Sequence, residues 1–200
     1  EDLKNTKVEE QPPLPIENNV LKTFSIENEP VVELVNNRER EYIFADLPDI
    51  GYSTDIDTVM ASSYQVKKQL QQIVKIEQPI TNTLLYKRIL RIWNLTRVTT
   101  RLQVFIDNLL EDAYKDPLSG DTIIYWEDEE KAKDCDFYRI NSKRDILDIP
   151  ILEVMSAARY AIEQQISMPT EDLKRLTSQL LGFSRKGNNL DMVTEQTIQL

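Results

Sequence analysis

Positively charged and hydroxyl side chains cluster around one predicted helix corner, in a pattern suited to binding phosphate. Lysine and arginine neutralise nucleic-acid phosphates, and residues at the start of the second helix of a helix-turn-helix reach the backbone or base edges. The candidate nucleic-acid-binding residues predicted from this pattern are Lys67, Lys68, Lys87, Arg88, Arg91, Arg97, Thr99, Thr100 and Arg101.

The charge of the chain is unevenly distributed. Residues 59–110 contain eight positive and two negative residues, whereas the whole chain has a net charge of −10. A summed charge hides such a distribution. Two interpretations remain open at this point. Either acidic flanks shield a basic surface, or the basic residues are ordinary solvated helix faces.

Three helices are predicted around the cluster. An apolar periodicity runs from Met60 to about Ile76, and the Pro79 that follows disfavours continuation of that helix. A second helix is predicted from about Thr81 to Asn94, where a left-handed residue could end it. A third begins near Thr96. Trp93 and Phe105 lie on the apolar faces of these helices, and we expect both rings to be mostly buried.

Two short β-branched and aromatic runs, residues 122–126 and 137–140, follow the helices and predict a pair of strands. The predicted fold is therefore mainly α with a small β wing: a winged-helix-like helix-turn-helix module at 56–145, followed by a second three-helix module at 146–200. Residues 1–55 are predicted to be an acidic, proline-containing linker or arm with few buried contacts. The alternative is that the helix pair is simply a piece of helical core.

The two predicted modules show a weak similarity at an offset of 88 residues. Residues 93–97 align with 181–185, and Leu102 aligns with Leu190. Both segments read as a helix, a cap, a small hydroxyl residue, an arginine and another helix. A degenerate structural repeat and chance agreement between two helical hairpins both fit this pattern.

The composition offers little for catalysis. The chain has no histidine and one cysteine, Cys135, and it lacks a glycine-rich phosphate loop with its lysine. Like charge from Asp134 and Asp136 is expected to disfavour the Cys135 thiolate. The acidic run around residues 127–130 is expected to consist of solvated turn residues. We therefore expect no enzymatic activity, no metal and no cofactor.

The cellular context is also constrained by the sequence. One cysteine allows no internal disulfide and fits a reducing compartment, and no apolar run approaches the roughly 20 residues that span a membrane. We expect a cytoplasmic protein with no membrane partner. The chain begins at Glu1 without a methionine, which suggests part of a longer protein, with processing of the start as the alternative.

Several short segments together resemble a bacterial family: 76–81, 87–89, 93–97, Trp126, 137–139 and 181–187. With these segments, the chain looks like the uncharacterised C-terminal domain of very large superfamily I helicase-like proteins, which often also carry a restriction-endonuclease-like domain. The likeness covers about residues 62–200. One departure is that glycines commonly follow the corner arginine in that family, whereas Thr99 and Thr100 stand here.

The resemblance implies a non-catalytic accessory module of a nucleic-acid-processing protein. Together with the basic cluster, it predicts DNA as a partner, contacted through the helix-turn-helix surface, along with other domains of a larger parent protein. The alternative is a protein–protein assembly module that makes no nucleic-acid contact.

Overall fold

The computed structural model of the chain describes residues 36–52, 54–116, 122–140, 143–164, 168–184 and 187–199. These residues all belong to one compact unit, Asn36–Leu200. Residues 1–35 of the expected arm and Arg185 of the expected repeat lie outside the described residues. The described part is mainly helical with small sheets, which confirms the predicted class at that level.

The first helical group contains the predicted corner. It consists of α1 (Ile56–Ala61), α2 (Ser63–Glu77), α3 (Asn82–Ile92) and α4 (Thr100–Leu109). Thr81 caps α3 and Thr99 caps α4, because each hydroxyl accepts a hydrogen bond from a backbone N–H of the first turn. The third helix thus begins at Thr100 rather than near Thr96, and Arg97 lies in the corner before it.

A three-stranded sheet packs against this group. Its strands are β2 (Ile80–Thr81), β3 (Tyr114–Lys115) and β4 (Ile124–Trp126), in the antiparallel order β2-β4-β3. The strand at Ile80–Thr81, between the first two long helices, and the one at Tyr114–Lys115 are too short to be recognised from β-propensity. Helix α5 (Glu129–Lys133) follows the sheet.

The two strands predicted at 122–126 and 137–140 exist, but they do not form a hairpin with each other. Strand β5 (Tyr138–Ile140) instead pairs in parallel with β1 (Glu39–Glu41). The predicted pairing is wrong because β4 is the central strand of its sheet, with β2 and β3 on its two edges.

Residues 36–50 pack into the body of the unit. Tyr42 and Ala45 are buried in the main hydrophobic cluster, and Leu47 and Ile50 pack against it. The expectation of few buried contacts is therefore wrong for this described part of the 1–55 segment. A short apolar stretch within this mostly acidic and polar segment packs into the core.

The second helical group consists of a 3-10 turn (Ile146–Asp148), α6 (Ile151–Glu163), α7 (Thr170–Leu180) and α8 (Asn188–Gln199). Each long helix begins 88 residues after its counterpart in the first group: α6 after α2, α7 after α3, and α8 after α4. The 88-residue offset seen in the sequence therefore recurs in the element boundaries.

The helix ends follow the same offset. Asn94 and Gly182 both have positive φ, of 47° and 88°. The residue that follows each of them donates its backbone N–H to the carbonyl five residues earlier. Leu95 donates to Leu90 and Phe183 donates to Ser178, both at 2.9 Å. This is the Schellman arrangement, which favours glycine or asparagine at the left-handed position.

The core of the first group contains Trp93, which is buried as predicted, whereas Phe105 is only partly buried at its edge. The Trp93 indole N–H donates to the Gln69 side chain at 2.8 Å. No helix in the described part of the chain is long and apolar enough to cross a membrane.

Candidate nucleic-acid interface

The nine candidate residues lie on three helices and one corner. Lys67 and Lys68 lie on α2; Lys87, Arg88 and Arg91 lie on α3; Arg97 lies in the corner; and Thr99, Thr100 and Arg101 lie at the start of α4. Their contacts decide whether these side chains are free to meet a phosphate.

The side chain of Arg88 binds buried groups inside the unit and does not face solvent as a free cation. Its guanidinium lies 2.7 Å from the Glu77 carboxylate and donates to the Ala45 carbonyl at 2.6 Å. Glu77 is fully buried and also accepts hydrogen bonds from the Tyr42 hydroxyl at 2.5 Å and the Ala45 N–H at 3.0 Å. Removing Arg88 would leave a buried carboxylate without its countercharge, so this arginine holds the fold together.

Lys87 neutralises a second buried carboxylate. Its ammonium nitrogen lies 2.7 and 2.6 Å from the two oxygens of Asp148, the buried last residue of the 3-10 turn. Asp148 also accepts from the Thr83 hydroxyl at 3.3 Å. Lys87 therefore links the first helical group to the start of the second.

Lys67 and Arg101 form more exposed ion pairs near opposite ends of α4. Lys67 lies 3.1 Å from Asp112, just beyond the end of α4, and Arg101 lies 2.8 Å from Asp57 on α1. Arg101 and Leu109 are separated by about 12 Å along the helix at 1.5 Å per residue. Lys67 of α2 and Arg101 of α4 therefore lie near opposite ends of α4 and do not form one patch.

The remaining candidates are more accessible. The ammonium of Lys68 lies 4.6 Å from the Tyr64 ring centroid, a cation–π contact on the exposed face of α2. Arg91, Arg97 and Thr100 are exposed. The Thr99 hydroxyl is occupied as the helix cap, where it accepts from the Leu102 N–H at 3.3 Å.

A buried ionic cluster that the sequence analysis missed joins the two helical groups. Glu153 on α6 is hydrogen-bonded by Arg139 and by Arg144, the latter at 2.8 and 3.0 Å. Arg139 also donates to the carbonyls of Glu77, Gln78 and Pro79 at the end of α2. Single arginines such as these form no periodic pattern in the sequence, so their burial could not be predicted from it.

The electrostatics of this cluster follow from its burial. Burial raises the pKa of Glu153, but the charges and hydrogen bonds of Arg139 and Arg144 outweigh it and hold the pKa below its usual range. The Tyr42 ring packs on both guanidiniums, with centroid distances of 4.7 Å to Arg139 and 4.1 Å to Arg144. Burial, followed by the charge of Glu77, raises the pKa of Tyr42.

Cys135 is a poor nucleophile in this setting. Burial, followed by the nearby negative charge of Glu153, raises the pKa of its thiol to about 12. The direction agrees with the sequence analysis, but the cause differs, since the flanking aspartates Asp134 and Asp136 are not the source. No group of three histidine, cysteine or carboxylate side chains in the described ranges is arranged to hold a metal ion.

All nine candidate residues fall within one segment that matches a known family. Residues 61–104 match a family described as a protein of unknown function, DUF3320. No curated protein and no solved structure matches the chain. The DUF3320 match covers α2, β2, α3 and the first half of α4, so it spans the helical corner but only a minority of the chain.

The end of the DUF3320 match falls on the exposed face of α4, where an apolar side chain lies among polar ones. Val104 is 53% exposed there, beside the partly buried Phe105. These two side chains and Met60 of α1 line an open groove of about 300 Å3, whose polar edge is formed by Thr100, Arg101 and Asn108. Arg101, the cation on this edge, is the partner of Asp57.

Proposed function

We propose that this chain is a non-catalytic, winged-helix-like assembly module of a larger protein, binding another domain or subunit. The order of elements supports the winged-helix assignment. A strand separates the first two long helices, a hairpin of β3 and β4 follows the third, and β2 pairs with β4. In this arrangement α4 takes the place of the recognition helix and the β3–β4 hairpin that of the wing.

The observation that carries the assembly function is the chemistry of the α4 face. A recognition helix that reads DNA presents several cations and hydrogen-bonding groups to the major groove. Here the groove on α4 combines Val104 and the partly buried Phe105 with Thr100, Asn108 and Arg101, and the charge of Arg101 is matched by Asp57. An apolar groove with a polar edge is typical of a surface that binds protein.

The ion pairs of the other candidate cations point in the same direction. Lys67, Lys87, Arg88 and Arg101 are each matched by a carboxylate of the chain itself. Phosphate binding at these positions would have to break those pairs. Binding driven by counterion release is correspondingly weakened.

DNA binding, as the accessory function that the helicase-like resemblance implies, is the second candidate. The observation in its favour is that Arg91 and Arg97 are exposed and form no ion pair with the residues that the structure describes. Lys68, on the exposed face of α2, would add a third cation. This candidate needs those side chains to act together, although they lie on three different segments.

Salt-titrated binding separates the two functions. Fluorescently labelled duplex, forked and single-stranded DNA oligonucleotides would be titrated with the chain at increasing salt, with fluorescence anisotropy as the readout. The assembly function predicts no salt-sensitive binding to any of the three.

DNA binding predicts a different result in the same titration. If Arg97 meets a phosphate, the unmodified chain binds, and Arg97→Ala flattens the dependence of log affinity on log salt by about one unit. Arg175→Ala, an exposed arginine on α7 with a partner at Asp172, is the matched control. Binding that is weakened by Arg97→Ala but not by Arg175→Ala would overturn the assembly function in favour of DNA binding.

A further inference from the structure

The two helical groups differ in how much apolar side chain they bury. The 88-residue offset pairs core positions of the first group with positions of the second, and at four of them a large aliphatic residue is replaced by alanine or threonine. The four pairs are Leu70 and Ala158, Ile73 and Ala161, Ile89 and Thr177, and Ile106 and Thr194. All eight residues are buried. The second group therefore arranges its helices around smaller and more polar side chains.

The two buried threonines do little to hold their helices in place. The Thr194 hydroxyl donates to the Leu190 carbonyl of its own helix at 2.8 Å. The Thr177 hydroxyl is buried and has no hydrogen-bond partner among the residues that the structure describes. A buried hydroxyl without a partner costs free energy, whereas an isoleucine at the same place stabilises by its burial. Helices α7 and α8 are thus held less firmly than α3 and α4.

Helix α6 is fixed to the rest of the unit by charge, but α7 and α8 are not. Glu153 of α6 lies in the buried ionic cluster, and Glu163 pairs with Arg38. Helices α7 and α8 mainly contact α6, each other and, from α8, the 3-10 turn. Across the described ranges no ion pair joins either helix to α6, whereas Lys174 of α7 lies 3.7 Å from Glu195 of α8. The weakest boundary in this group therefore runs between α6 and the α7–α8 pair.

We propose that α7 and α8 open together as one unit, detaching from α6 while α6 and the first helical group stay folded. Proteins open in contiguous cooperative units, and those with few buried apolar contacts open most readily. Opening exposes Val154 and Ala157 of α6, which share a hydrophobic cluster with Leu181 and Leu190. The α7–α8 pair is then a lid over this face of α6, whatever the α4 groove binds.

Hydrogen–deuterium exchange of the 200-residue chain, read by mass spectrometry of its peptides, tests this opening. The protection factor of an amide is the ratio of its intrinsic exchange rate to the observed one. The slowest amides of α7 and α8 are expected to share one protection factor, about tenfold or more below that of the slowest amides in α3 and α4. Those of α6 are expected to follow the first helical group.

A pair of matched variants links the opening to the buried hydroxyl. Thr177→Val keeps nearly the same shape and removes the unpartnered hydroxyl, so it is expected to raise the protection of both α7 and α8 about tenfold. The protection of α3 and α4 is expected to stay the same. Thr170→Val makes the same change at the exposed start of α7 and is expected to leave the protection of α8 unchanged.

Three results would overturn this inference. They are protection of α7 and α8 equal to that of α3 and α4, different protection of α7 and α8 from each other, and no gain in protection from Thr177→Val. The first two are read from the unmodified chain, so they do not depend on how the variants fold. The oligonucleotide titration reads the assembly function separately.

Discussion

Replacing Glu153 by glutamine is expected to lower the free energy of unfolding by about 3–5 kcal/mol, because it removes the buried negative charge that Arg139 and Arg144 share. Glu153 is fully buried, and the pair formed by Arg139 and Arg144 has this carboxylate as its shared anion. Urea denaturation at neutral pH, followed by circular dichroism, would measure the loss. Glu163→Gln is the matched control: it makes the same change on the same helix, but that carboxylate is 50% exposed and pairs with Arg38. Its expected cost is below about 1 kcal/mol.

The same carboxylate gives the stability a pH dependence of definite sign. The pKa of Glu153 is lower in the folded protein than its ordinary value of 4.5. Its ionised form therefore stabilises the fold above about pH 4.5, and that contribution is lost as the pH falls through the lower, folded value. The Glu153→Gln variant is expected to lose less stability on acidification than the unmodified chain. Equal stability of the two chains at neutral pH would contradict the role assigned to the cluster.

A chain that begins at Asp55 is expected to be far less stable than one that begins at Asn36, by about 5 kcal/mol or more. The shorter chain loses the buried Tyr42 ring, the pairing of β1 with β5, and two of the hydrogen bonds that hold Glu77. Since many domains are stable by only about 5–15 kcal/mol, much of it would be unfolded. Near-ultraviolet circular dichroism and thermal melting of the two chains would measure the difference.

Comparing these two chains isolates residues 36–54, since both lack residues 1–35. Tyr42→Phe in the longer chain provides a finer control, because it keeps the ring and removes only the hydroxyl that donates to Glu77. It is expected to cost about 1–3 kcal/mol. Cooperative melting of the Asp55 chain at an unchanged temperature would show that the 36–54 segment is dispensable.

Periodic and local features were predictable from the sequence. The apolar face that contains Trp93 repeats every three or four residues, and the left-handed end at Asn94 follows from the residue type, so α3 and its cap are where they were expected. The 88-residue offset was visible because Gly182 takes the place of Asn94. Phe105 shows the limit of such reasoning, since periodicity assigns a face to a residue but not the depth of its burial.

Long-range pairings were not predictable in the same way. The partner of β5 is β1, nearly a hundred residues away, and neither strand has a signal that specifies the other. The local charge pattern also failed to show which basic residues are free, for a related reason. Residues 59–110 are basic when counted alone, but acidic residues outside that segment, such as Asp57, Asp112 and Asp148, fold back onto them. A local charge balance therefore does not reveal which cations remain free.

The central claim, that the basic residues of the helical corner serve the fold, is tested most directly at Lys87. Its removal would leave the buried Asp148 carboxylate without its cation. We expect Lys87→Met to lower the free energy of unfolding by about 1–3 kcal/mol. Arg91→Met, an exposed position one turn further along α3, is expected to change stability by less than about 0.5 kcal/mol.

Urea denaturation of the two variants beside the unmodified chain gives the answer. A loss at Lys87 with none at Arg91 is the predicted result. Unchanged stability of both variants, together with weakened binding of either one to a DNA oligonucleotide, would contradict the claim and make the corner a nucleic-acid surface.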